Sequence, residues 1–189
     1  MSNTKLDNAA LILIDIQKGF LDTSYWGGDR NNPNAEQKAA ELLEIWRNKK
    51  LPLFHIQHCS SNPDSILNEV SSGNEFQDVV KPIAGEIIVK KNVNSAFIGT
   101  NLKELLDNAK IKNLVIVGLT TDHCVSTTTR MAGNFGYTVY LVSDATATFN
   151  KKGVNGENFS AEIIHQTALA SLNEEFAEVV TSDFIKEIV

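Results

Sequence analysis

The apolar positions of this chain fall into short unbroken runs, each closed by polar residues or glycine, and the runs alternate with longer stretches of helical period. Unbroken apolar runs mark strands buried on both faces, and their alternation with helices is the pattern of a parallel sheet covered on both sides. The predicted strands are Ala10 to Asp15, Leu53 to His58, Ile87 to Lys90, Leu114 to Gly118, Thr138 to Val142 and Ala177 to Val180, all read as buried. Between them a helix is expected over Asn34–Asn48, with Asn34 as N-cap, Gln37 as its capping-box partner and Leu42, Leu43 and Trp46 on one face. Thr100 is placed to cap a second helix, with Leu102, Leu105 and Leu106 facing inward. A third runs from Cys124 to Asn134 and ends at Phe135 and Gly136 in a left-handed C-cap. Ser160 caps a fourth, whose stripe is Ile163, Ile164, Thr167, Ala168 and Leu172, and Ser182 caps a short terminal one. Asn62–Pro82 and Phe149–Phe159 read as loops of the kind that cover a site. The fold class is therefore α/β.

Length and charge narrow the function. A chain of 189 residues fits one domain, 1–189, and 42% hydrophobic with 21% charged residues is ordinary for a globular protein. A formal net charge of −6 argues against a nucleic-acid surface and leaves a small molecule as the expected partner. Cys59 and Cys124 are too few for a disulfide framework, and no cysteine and histidine spacing suggests structural zinc. The start, MSNTKLDNAA, lacks the basic segment and cleavage site of a signal peptide, and its first apolar run, Ala9 to Ile14, is too short for a bilayer. A cytoplasmic protein with no membrane partner is expected.

The candidate chemistry lies at strand ends. In LVIVGLTTDHCVSTTTR, residues 114–130, an apolar run stops at Gly118 and Cys124 follows within one short turn, at the start of a helix. Unpaired N–H groups there favour a thiolate and a developing oxyanion, although a small buried thiol is an equally ordinary reading. Asp15 closes ALILID and Lys91 follows EIIVK, so a carboxylate, an ammonium and a thiol share the rim where doubly wound sheets bind ligands. Singly, the aspartate reads as a turn residue and Lys91 as one of a solvated pair with Lys90. Together they make a workable hydrolytic set. Neither a P-loop nor a GxGxxG is present.

Four blocks, ALILIDIQKGF, KKNVNSAFIGTNL, GLTTDHCVSTTTRMA and GYTVYLVSDATATF, resemble the isochorismatase-like cysteine hydrolases over about Ala9 to Thr181. The resemblance implies a three-layer α/β/α sandwich over a six-stranded, mainly parallel sheet. It makes Cys124 the nucleophile and Asp15 the catalytic aspartate, and it selects Lys91 as the residue four before Ser95 of the Ser-Ala-Phe block. A cis peptide between Leu119 and Thr120 is implied as well, with the Thr120 and Cys124 N–H groups forming an oxyanion hole. The implied reaction is hydrolysis of a small-molecule amide through a thioester, with Lys91 keeping the thiolate charged. Isochorismatase proper lacks the cysteine, so this chain is expected among the amidases, and its pattern is similar to the streptothricin hydrolase group. Homodimers or homotetramers are common in the family.

Nicotinamidases also resemble the chain, but they carry a metal triad with an Asp-x-His segment, and HIQHCSSNPDS has none. No metal and no cofactor is expected. His55 and His58 fall on opposite faces of a strand, His55 in the core and His58 at the site rim. His123 is read as structural or substrate-facing, Cys59 as a packed thiol and Asp144 as a turn residue. Phe20, Trp26, Phe97 and Phe149, with His58 and His123, are candidate pocket residues, the aromatics having core packing as their plainer explanation. A catalytically silent domain that binds a metabolite or a partner protein is the competing class, and a Cys59–Cys124 redox pair a more remote one.

Overall fold

The computed structural model describes residues 5–189; Met1 to Thr4, which open the segment read for a signal peptide, lie outside the described residues. Its strands are β1 (Ala9–Ile14), β2 (Leu53–His58), β3 (Ile87–Lys91), β4 (Asn113–Leu119), β5 (Thr138–Ala147), β6 (Lys151–Lys152), β7 (Asn158–Phe159) and β8 (Glu178–Val180). Six of them form one sheet in the order β3-β2-β1-β4-β5-β8. Every neighbouring pair in it is parallel. The helices are α1 (Thr23–Trp26), α2 (Ala35–Lys49), α3 (Leu102–Asn108), α4 (Ser126–Asn134), α5 (Ala161–Leu172) and α6 (Ser182–Ile188). Among the described residues no helix is long and apolar enough to cross a membrane.

The period of two along β1 divides the core. Ala10, Ile12 and Ile14 join the cluster that also holds Leu102, Leu106, Ala132 and Leu169 from α3, α4 and α5. Ala9, Leu11 and Leu13 join the cluster under α2 and α6, around Leu42, Leu43, Trp46 and Ile185. Strand order reverses between β1 and β4, so the chain leaves these two strands in opposite directions and a crevice opens at their carboxyl ends.

Several local expectations are corrected. The strands are not all buried: β3 lies at the sheet edge, with Ile87 40% and Ile88 45% exposed. Asn34 occupies the N-cap of α2 without a side-chain bond, so no capping box forms. Helix α3 begins at Leu102 after Asn101; the Thr100 hydroxyl accepts from Leu102 N and donates to Ala96 O. Ser160 caps α5 as expected, but the buried face of α5 is Ala161, His165, Leu169 and Leu172, and Ile163 is exposed, because His165 has an internal partner and Ile163 has none. Thr181, not Ser182, caps α6; Ser182 instead donates from both N and Oγ to Asp144. The Phe149–Phe159 loop contains the β6–β7 hairpin. Gly136, in left-handed backbone (φ +84°), ends α4 where predicted.

Candidate active site

Each strand that ends at the crevice delivers one reactive group. Asp15, just past β1, takes left-handed backbone (φ +51°) while its N–H still donates to Ile56 O on β2. That turn bends the chain out of the sheet, and aspartate tolerates it better than most residues. Beside it on β4, Gly118 has φ +121°, and a β-carbon there would collide with the backbone of Ile14. Only glycine lets β4 approach β1 so closely at the base of the crevice. A cis peptide joins Leu119 to Thr120. The chain then winds through a π-helical turn, Thr121–Val125, in which His123 and Val125 N–H both donate to Thr120 O. Helix α4 therefore starts at Ser126, and Cys124 sits in the turn before it, not at its first residue. π-turns of this kind recur at functional sites.

Lys91 ends β3, two strands from β1, roughly 9–10 Å at the usual strand spacing. Its long stem crosses over His58 on β2, its register partner. The ammonium donates to Asp15 Oδ2 at 2.6 Å and to Cys124 Sγ at 3.2 Å, and lies 3.1 Å from His58 Nδ1. Since an ammonium only donates, His58 Nδ1 is the acceptor and the imidazole is neutral. Burial, then the charge of Lys91, lowers the His58 pKa accordingly. The Asp15 and Lys91 side chains are both fully buried, yet burial, which opposes the lysine charge, is outweighed by Asp15 and Cys124, so the Lys91 pKa is raised. Burial and the Asp15 carboxylate push the Cys124 thiol's pKa up, against the downward pull of Lys91. The sulfur's other polar neighbour is Asn94, whose Oδ1 lies 3.9 Å away. Asp15 Oδ1 is buried with no hydrogen-bond partner.

The isochorismatase domain family matches residues 9–184 of the chain. This chain belongs to the isochorismatase family. The isochorismatase family protein YrdC of Bacillus subtilis, itself uncharacterized, is 47% identical over 177 residues, 94% of each chain. Nicotinamidase 3 of Arabidopsis thaliana is 29% identical over 197 residues, 97% of this chain and 89% of that protein. The crystal structure of an isochorismatase-family protein from Chromobacterium violaceum superposes with a TM-score of 0.92 at 42% identity, covering 95% of this chain and 92% of that one.

Measured against this family fold, the other candidate residues divide. His58 joins the Asp15–Lys91–Cys124 group. Phe20, Trp26 and Phe149 stack on one another, with Phe20 and Trp26 centroids 4.5 Å apart, in a satellite cluster with Leu119 and Ala147 behind the cis peptide. Phe97 packs on Tyr137 and Phe135 in the cluster that also contains Cys124. His123 points outward, 54% exposed, toward Asp122. Cys59 is half-buried, with Asn74 Nδ2 3.8 Å from its sulfur. A cleft of about 530 Å³ lies beside Lys91, bordered by Cys59, Ser60, Asn68, Glu69, Lys90 and Asn92.

Three supporting residues were missed. Gln17, fully buried, accepts from His58 N at 2.9 Å and donates to His58 O at 3.0 Å, fixing that residue from both sides. It stands two residues past Asp15, so the alternation after β1 was the available signal. His165 Nδ1 lies 2.8 Å from Thr121 Oγ1 and ties α5 to the cysteine turn. Its four-residue spacing from Ala161 and Leu169 marked the buried face. Asp122 accepts from the Thr148 hydroxyl at 2.5 Å and pairs with Lys151 at 3.2 Å, and nothing in the sequence marked it.

Proposed function

We propose that this isochorismatase-family hydrolase cleaves the C–N bond of a small amide through a thioester on Cys124. The observation that carries the reading is the buried convergence of thiol, ammonium and carboxylate with Asp15 Oδ1 still open to a proton. Asp15 Oδ1 takes the Cys124 proton as sulfur attacks the carbonyl carbon. The tetrahedral oxygen is held by the Thr120 and Cys124 N–H groups, in the turn whose His123 and Val125 N–H groups donate to Thr120 O. Asp15 then passes the proton to nitrogen as the C–N bond breaks and the amine or ammonia leaves. Water attacks the thioester, Asp15 takes its proton and returns it to the departing sulfur, and the acid is released. Lys91 stays an ammonium throughout, anchoring Asp15 Oδ2 and compensating charge on sulfur.

Nicotinamide is the second substrate reading, supported by the 29% identity to Nicotinamidase 3. The test is product release from a panel of small carboxamides, nicotinamide and streptothricin-type lactams included, read by mass spectrometry for wild type and Cys124→Ala. Turnover that disappears with the thiol is expected. Turnover indifferent to the substitution, or none across the panel with Cys124 inert to alkylation, would move the assignment to a binding domain.

A further inference from the structure

Lys91 and Ser95 are buried, and the residues between them, Asn92, Val93 and Asn94, form a short exposed strap. Both ends of the strap are tied down. Cys59 N donates to Lys91 O at 2.7 Å, while Ser95 Oγ donates to Met131 Sδ and Ala96 N to Thr128 Oγ1, each at 3.0 Å, on α4. The strap is thus fixed to the helix that follows the nucleophile, and it brings Asn94 Oδ1 to 3.9 Å from Cys124 Sγ. The ammonium of Lys91, 3.2 Å from the same sulfur, belongs to a fully buried side chain. Asn94 therefore stands on the side from which a substrate reaches the thiol. A thiol is a weak donor, so its contact with Oδ1 gives way readily to an N–H. In a near-attack arrangement sulfur lies about 3–3.5 Å from the carbonyl carbon, with the amide nitrogen about 1.33 Å from that carbon. The nitrogen is then roughly 4 Å from sulfur, a position from which its N–H can meet Oδ1 at ordinary hydrogen-bond distance. We infer that Asn94 Oδ1 accepts the N–H of the scissile amide, so that Asn94 is the residue that selects amides over esters at this thiol. Donors at Thr120 and Cys124 take the carbonyl oxygen, and Asn94 supplies the acceptor that the nitrogen needs. As the tetrahedral intermediate collapses, the C–N electron pair goes to nitrogen, which takes the proton from Asp15, and the amine leaves with an N–H still on Oδ1. Nitrogen gains positive character in that step, so the hydrogen bond is stronger in the transition state than in the bound substrate. An ester oxygen carries no hydrogen and gains nothing from Asn94.

This role for Asn94 rests on the thioester reading, and the experiment separates the two. It compares p-nitrophenyl acetate with p-nitroacetanilide, which differ only in oxygen against N–H, and with the N-methyl anilide, which lacks the hydrogen. Chromophore release is followed for wild type, Asn94→Ala and Asn94→Asp, with Cys124→Ala as the blank. Asn94→Ala should lower the anilide-to-ester ratio of kcat/KM, which reports acylation of the thiol, by about 10- to 100-fold, the scale of one charge-assisted hydrogen bond. Asn94→Asp keeps an acceptor and should hold the ratio near that of wild type, because the effect of its added charge on the thiol is common to both reactions. N-methylation should lower anilide cleavage strongly in wild type and far less in Asn94→Ala, since both changes remove the same bond. Asn94→Leu, close to asparagine in shape, replaces Asn94→Ala if circular dichroism shows that the alanine variant does not fold. An unchanged ratio in the folded variant, an equal loss in Asn94→Asp, or Cys124-dependent release from the ester with none from the anilide overturns the role of Asn94 and leaves the thiol chemistry standing. No Cys124-dependent release from the ester overturns the thiol chemistry, and the role of Asn94 with it.

Discussion

Two clusters of acid, base and histidine, one part-buried and one buried, share strands β2 and β3 and sit at their opposite ends. At the amino end, Glu86 accepts from Arg47 Nε at 2.7 Å and Nη2 at 2.9 Å, from Ile83 N at 3.0 Å, and from His55 Nε2 at 2.8 Å. Burial works against its charge, but those donors hold its carboxyl down at about 2. At the carboxyl end, Asp15 gives one oxygen to Lys91 and keeps the other buried without a hydrogen-bond partner. The first carboxylate has no use for a proton and the second has room for one. The first is fully hydrogen-bonded and ties β2 to β3, although His55 Nδ1 beside it is buried without a partner, while the second keeps one oxygen unpaired, as the proposed proton transfer requires.

The contrast is broken most directly by neutralising each acid in turn. Asp15→Asn should lower turnover by about 10²- to 10⁴-fold, the range for loss of a general acid and base. Glu86→Gln should leave turnover per folded molecule unchanged and cost about 1.5–3 kcal/mol of stability, through its lost charged hydrogen bonds. Steady-state rates and denaturant midpoints measured on both variants decide it. Equal losses of activity would mean that the amino-end cluster also shapes the site.

A smaller effect separates the clusters by pH. The Glu86 pKa is lowered from an ordinary 4.5 to about 2, so the unfolded chain binds that proton first; its contribution is complete above 4.5 and is lost as the pH falls toward 2. Burial lowers His55 from its ordinary 6.5, so its contribution is present above 6.5 and begins to fall below it. Thermal midpoints should therefore decline in two stages on acidification, and Glu86→Gln should remove the lower stage. A single unchanged decline in that variant would show that other carboxylates control acid unfolding.

How much of this was legible in the sequence follows from range. The strands were readable because burial on both faces writes an unbroken apolar run, as in β1 and β4. The edge position of β3 was not, since which strand lacks a neighbour depends on the order of all six. Asp15 and Cys124 were visible as reactive residues at strand ends, and the choice of Lys91 over Lys90 came from the family resemblance. The upward push on the Cys124 thiol was hidden, because it depends on how burial and a carboxylate from another strand balance an ammonium from a third. His165 was hidden by a more conspicuous isoleucine two residues before it.

The smallest expected effect concerns the two lysines that the sequence sets side by side. Alternation along β3 places Lys91 in the interior with Asp15, and Lys90 outside with Glu69 at 2.7 Å, those two side chains 61% and 54% exposed. Water already solvates both partners of the outer pair, so their attraction is screened and holding two long side chains together costs entropy. Lys90→Gln should therefore leave the thermal midpoint and the turnover number where they were, at low salt and high. Lys91→Gln, one residue on, strips a buried carboxylate of its counterion and should lose both activity and stability, by about 3–5 kcal/mol for the latter. If Lys90→Gln lowered the midpoint by several degrees, the pleat of an edge strand would not be what divides a structural charge from a chemical one here.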